Sequence, residues 1–129
     1  MAIWTPVLEK IQEPKNAGAL MDVGQLLDRL AEAFGSSGIV ARLLDVDAAM
    51  ITRWRKESAQ ISPEMRGRII DLHDVLNRAF QIFRPRQAIM WLFGSEPFFG
   101  GARPIDVLAR RGAAPLIEAL AGIESGAYA

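Results

Sequence analysis

The chain is predicted to be all-α, with a helix-turn-helix bundle followed by a long helix and a small helical C-terminal domain. Three observations carry that prediction. No stretch alternates apolar and polar residues with the period of two that a half-buried strand requires. Apolar residues recur instead three and four positions apart, which aligns side chains along one side of a helix. Helix-punctuating residues then fall at the ends of those stretches, as at Ser62-Pro63-Glu64, Pro104 and Gly112.

Residues 1–20 contain Pro6, Pro14 and Gly18 with little periodicity and read as an irregular arm, in which Trp4 and Val7 are candidates for contact with the body. Asp22 is placed to cap a first helix whose Val23, Leu26, Leu27, Leu30 and Phe34 share a face. Gly35-Ser36-Ser37-Gly38 ends it. The next stretch, Val40 to Lys56, follows the grammar of a helix-turn-helix. Ala41 is small where two helices must approach. Leu43, Leu44, Ile51 and Trp54 close a core, with Val46 as a buried plug after the turn. Asp45 stands at the turn, where the pattern usually has Gly; Asp tolerates a left-handed backbone better than most residues. A first domain is thus assigned to 21–60 and a second to 61–129.

In such a motif the second helix enters the DNA major groove and its outer face meets bases and phosphates. Thr52, Arg53, Arg55 and Lys56 are the candidate contacts, with Arg42 as a phosphate clamp. Net charge is zero over the 129 residues, but between Gly38 and Arg86 nine Lys/Arg stand against six Asp/Glu. A modest basic centre suits a dimeric repressor with a few phosphate contacts per subunit and suits a nonspecific nucleic-acid coat poorly.

Ser62 as cap, Pro63 at the first helical position and Glu64 in the first turn open a long helix. Met65, Ile69, Leu72, Leu76, Ala79 and Phe83 mark its stripe and carry it to about Phe83 or Arg84. Ile70, Val75, Phe80 and Ile82 widen the apolar sector, which suits a second subunit. Arg84-Pro85-Arg86 breaks the helix, and Gln87 to Phe93 starts another. A Gly, Pro and Phe-rich loop follows to Arg103, then a short helix to Arg110 and a last one from Ala114 to Ile123. Phe98 and Phe99, adjacent in that loop, cannot both point inward easily, so one is expected on the surface or against a partner.

No apolar run approaches the ~20 residues that span a bilayer, and no membrane partner is expected. The absence of cysteine excludes disulfide scaffolds, thiolate zinc sites and cysteine nucleophiles, and points to a cytoplasmic setting. His73 is the only histidine and has no triad or metal constellation around it. Gly94, Gly100 and Gly101 lack the strand and the Gly-Lys-Ser/Thr of a phosphate loop. Asp71 and Asp74 read as solvated acids. No catalytic residue, metal or cofactor is assigned, and the chain reads as a non-enzyme.

Trp91-Leu92-Phe93, then Pro97-Phe98-Phe99-Gly100-Gly101-Ala102-Arg103-Pro104-Ile105-Asp106-Val107-Leu108, then Gly112 and a helix ending in Gly126-Ala127-Tyr128, resemble the toxin-binding domain of the Xre/MbcA/ParS antitoxins. The likeness covers roughly residues 20–129, since the helix-turn-helix and long helix match the family layout. It implies a RES-domain toxin partner that breaks down NAD or transfers its ADP-ribose, and an inhibitor that covers the toxin's active-site entrance. It also implies a homodimer that binds operator DNA of its own operon. The implied toxin contacts are Phe98, Phe99, Arg103, Glu124, Gly126, Tyr128 and Ala129, the last as a carboxylate tail approaching a phosphate-binding pocket. Two other readings stay open: a stand-alone helix-turn-helix regulator, and an interaction module that has lost DNA binding, which Asp45 and Asp47 near the phosphate path would favour.

Overall fold

The computed structural model describes residues 22–126, so the arm with Trp4 and Val7, and Tyr128 and Ala129, lie outside the described residues. The helices are α1 (Val23–Phe34), α2 (Ser37–Leu44), α3 (Ala48–Lys56), α4 (Pro63–Ala79), α5 (Pro85–Phe93), α6 (Pro104–Arg111) and α7 (Ala114–Glu124). Short 3-10 turns occupy Ser58–Gln60 and Pro97–Phe99, and no strand occurs among the described residues. The fold is all-α, as the periodicity predicted. Two compact units meet between Ile70 and Asp71, inside α4.

In the first unit α1, α2 and α3 pack against one another. Asp22 Oδ1 accepts from the Gln25 N–H at 3.1 Å while Gln25 Oε1 accepts from the Asp22 N–H at 3.1 Å, a reciprocal cap that starts α1. Its far end closes on Gly35 at φ 69°, with the Ser36 N–H donating to Ala31 O at 3.0 Å. The end of α2 repeats that geometry on a different residue. Asp45 stands at φ 57°, ψ 50°; its N–H donates to Arg42 O at 3.3 Å, and the Val46 N–H donates to Ala41 O at 3.0 Å. The turn is therefore the one expected, with an aspartate bearing the left-handed strain. It is the only non-glycine residue at positive φ among the described residues.

Val46 departs from expectation. It is half-buried rather than a plug, because it lies outside both helices and contributes chiefly its backbone bond. Val40, Leu44, Ile51 and Trp54 fill the space beneath. Two arginines of α4 finish this unit. Arg68 Nη2 donates to Leu44 O at 2.9 Å, satisfying a carbonyl at the end of α2. Arg66 donates to Ser58 O at 2.6 Å and to Ile61 O at 3.1 Å.

In the second unit Leu72, Val75, Leu76 and Ala79 are completely buried. Val75 thus belongs to the core instead of an exposed sector; Ile70 stays 43% exposed, and Phe80 and Ile82 are half-buried. The α-helix stops at Ala79, four residues before the expected end. Gln81 and Ile82 donate instead three residues back, to Arg78 O at 3.1 Å and Ala79 O at 3.0 Å. Pro85 is the cause: it disfavours helical backbone at Arg84, which sits extended at φ −74°, ψ 162° and heads α5. The turn brings the Phe83 ring to 6.2 Å from Trp91. Gln87 Oε1 accepts from the Arg84 N–H at 3.1 Å, and Ala88 and Leu92 are buried. α5 packs on α6 and α6 on α7, where Leu116, Ala119 and Leu120 are fully enclosed.

His73 is 1% exposed, and burial lowers its pKa to about 4. Burial raises the carboxyls of Asp71 and Asp74 on the same helix; the Asp71 charge raises Asp74 further.

Replacing Asp45 by Gly should raise stability by about 1 kcal/mol by relieving left-handed strain, seen as a higher urea midpoint at unchanged slope. Below pH 6.5 the unfolded chain takes up a proton at His73 that the folded chain refuses. Stability through this residue is therefore complete above pH 6.5 and falls by roughly 3 kcal/mol as the pH drops to about 4. The raised Asp71 and Asp74 act in the opposite sense, gaining stability as the pH falls. Urea unfolding across this window should show a flatter profile in His73→Met than in the wild type.

Candidate nucleic-acid and partner interfaces

Helix α3 buries Ile51 and Trp54 and turns Thr52, Arg53 and Lys56 outward. Thr52 Oγ1 donates back to Ala48 O at 3.3 Å, and Arg53 Nη1 lies 4.0 Å from Met50 Sδ. Basic residues in the last turn complement the negative end of the helix dipole. Arg42, in the last turn of α2, is also exposed.

Arg55 is placed differently from the other candidate contacts. Its Nε is 2.6 Å from Asp28 Oδ1 and its Nη1 donates to Ser37 Oγ at 3.0 Å, so it ties α3 to α1 and α2. Four residues after buried Ile51, it shares that inner side of the helix. The basic centre is spent in the same way elsewhere: Arg66 and Arg68 bind backbone carbonyls, and Arg78 bonds Gln81 at 2.7 Å and pairs with Glu124. Four of the nine cations counted between Gly38 and Arg86 thus hold the fold together.

The loop of the second unit is closed by its own backbone. The Glu96 N–H donates to Ala102 O at 3.1 Å, Glu96 O accepts from Phe99 and Gly101 at 3.0 and 2.9 Å, and Ser95 Oγ donates to Gly101 O at 2.9 Å. Gly100 at φ 65° and Gly101 at φ 93° allow the tight return after Pro97–Phe99. The side chain of Glu96 is buried within it. This frame holds Phe98 and Phe99 edge to face, ring centroids 5.4 Å apart, with Phe98 44% exposed. One of the two aromatics does reach the surface.

Arg103 bonds Asp106 through Nε at 2.8 Å and Nη2 at 2.9 Å, and its guanidinium carbon lies 5.8 Å from the centroid of the Phe93 ring. That pairing raises the Arg103 pKa and holds the Asp106 carboxyl below its usual range. Phe98 and Phe99 open onto a groove of about 890 Å³, walled by Val107 and Pro115 and by the charged Arg110, Arg111 and Glu118. The sequence reading missed these three. Their signal was a pair of consecutive arginines whose nearest acid, Asp106, is already claimed by Arg103.

Glu124 and Gly126 lie apart from this groove, at the end of α7. Glu124 is engaged by Arg78, and Gly126 takes φ 79°. Tyr128 and Ala129, the remaining candidates, lie outside the described residues. Among the described residues no three His, Cys, Asp or Glu side chains are grouped to hold a metal ion, and no helix is long and apolar enough to cross a membrane.

No family model matches the sequence. The chain is 27% identical over 109 residues to a probable mycobacterial cidal antitoxin, Rv3188, of Mycobacterium tuberculosis, covering 84% of this chain and 92% of that protein. Its fold matches a chain in the crystal structure of the M. tuberculosis MbcT-MbcA toxin-antitoxin complex. The TM-score is 0.67 at 17% identity, over 85% of this chain and 100% of that one. The expected resemblance to an MbcA-like antitoxin thus holds, in sequence to Rv3188 and in fold to a chain of that complex.

Removing the Arg55 side chain should cost up to about 1 kcal/mol, the range for a half-exposed ion pair with one added hydrogen bond. Arg53→Ala should leave thermal unfolding unchanged. Equal melting temperatures for the two variants would contradict this division.

Proposed function

We propose that this chain is the antitoxin of a toxin–antitoxin pair, a non-enzymatic inhibitor that binds and silences a cognate toxin. The observation that carries the reading is the likeness to a probable cidal antitoxin along nearly the whole of both chains. The backbone-locked loop supports it, because it presents Phe98 to solvent on a frame that loses little freedom on binding. The toxin is a RES-domain enzyme that consumes NAD or transfers its ADP-ribose, and the antitoxin covers its active-site entrance in the cytoplasm. The second unit supplies the toxin contacts, with Phe98, Phe99 and Arg103 central. Glu124 and Gly126, at the end of α7, and the following Tyr128 and Ala129 are a second set of toxin contacts.

The first unit acts as the regulatory half, a homodimer that reads the operator of its own operon through Thr52, Arg53 and Lys56, with Arg42 on a phosphate. Arg55 positions the recognition helix in this scheme and does not read bases. A specific observation favours a second reading, an interaction module without DNA binding. Arg55, Arg66, Arg68 and Arg78 are engaged inside the protein, and exposed Asp45, Asp47 and Glu57 flank α3 in sequence.

The test is co-expression with the candidate RES-domain toxin. Growth and cellular NAD should be preserved by the wild type and reduced when Ser125 to Ala129 are deleted. Growth arrest that the wild type leaves unchanged would refute the antitoxin reading. Replacing Arg53 and Lys56 by Ala should weaken binding to an upstream DNA fragment by about 1–3 kcal/mol per base-reading contact and leave neutralisation intact. Undiminished DNA binding would remove α3 as the reading helix.

A further inference from the structure

The groove in front of Phe98 has a chemistry of its own. Its floor is aromatic, with Phe98 and Phe99 edge to face at 5.4 Å and Phe98 44% exposed. Its rim is cationic. Arg110 and Arg111 occupy the last turn of α6, are exposed, and form none of the ion pairs found among the described residues. The carboxylate nearest in sequence, Asp106, takes two bonds from Arg103 at 2.8 and 2.9 Å and feels the Arg110 charge without bonding to it. Glu118 is the one acid on the groove wall, so two guanidinium groups face one carboxylate beside an exposed ring.

We propose that this groove docks a segment of the partner toxin that carries a carboxylate side chain next to a large apolar one. The proposal rests on the antitoxin reading above and adds Arg110 and Arg111 to the residues that bind. The apolar side chain seats on Phe98, and the carboxylate takes the paired N–H donors of the arginines, a fit the planar guanidinium makes better than any other cation. Arginine and aromatic residues together at one concave site are the usual composition of an energetic hot spot. A nucleic acid suits the groove less well. Its phosphates need several cations along a track, whereas this groove offers two, and Glu118 repels them.

The experiment uses the full chain and the purified candidate RES-domain toxin, with affinity read by titration calorimetry at low and high salt. Arg110→Glu combined with Arg111→Glu should weaken the complex about tenfold or more and flatten its salt dependence. Phe98→Ser should weaken it by a similar factor with the salt dependence kept. All three side chains are exposed, so thermal unfolding should match the wild type. Affinities within about twofold of a wild type that does bind would overturn the docking site and leave the antitoxin reading standing. Absence of binding by the wild type would overturn both. A labelled single-stranded oligonucleotide that binds the wild type and not the double variant would replace the proposed occupant.

Discussion

Among the described residues every helix but α4 runs to 12 residues or fewer, and helices of such length are marginal in water unless one side is buried. The structure therefore depends on the apolar side of α4, where Ile69, Leu72, Val75, Leu76 and Ala79 are removed from solvent completely. Ile69 serves the first unit and the other four the second. At about 25 cal/mol per Å² of apolar surface, each large side chain so enclosed contributes on the order of 2 kcal/mol. Loss of one leaves a cavity as well, so Leu72 or Leu76 is a position where truncation weakens the second unit. Burial of the neutral His73 imidazole makes the same helix sensitive to acid, and the raised carboxyls of Asp71 and Asp74 oppose that loss.

Within each unit the working surfaces are built by stopping helices at defined residues. Gly35 and Asp45 close α1 and α2 with the same pair of hydrogen bonds, which aims α3 across the bundle. Pro85 ends the run after α4 and starts α5 in one step. The loop after α5 is closed by Glu96 and Gly101, so Phe98 is held where it meets solvent. In each case a local backbone constraint decides where a side chain is offered. The antitoxin reading asks for that: a surface already ordered before its partner arrives.

Much of the fold was legible in the chain. Asp22, Ser62-Pro63, Pro104 and Gly112 mark helix ends by cap and dihedral rules that act over four residues, and they fall where expected. Asp45 in a left-handed turn was legible for the same reason. The end of α4 was not, since the stripe continues to Phe83 and only the competition between apolar period and the residue before Pro85 settles it at Ala79. The candidate sites were less legible, because they turn on pairing across distance. Arg55 looks like a DNA contact by composition, but its partner Asp28 lies 27 residues earlier. Arg110 and Arg111 become notable only once Phe98, Pro115 and Glu118 are placed beside them.

The central claim is a division of labour, with toxin capture by the second unit and DNA contact by α3 in the first. Hydrogen–deuterium exchange on the full chain, with and without the candidate toxin, tests this most directly. The account predicts new protection at 95–103 and at 107–118, with exchange in α3 unchanged. Protection confined to α3, or none at the Phe98 loop in a complex that has formed, would contradict it.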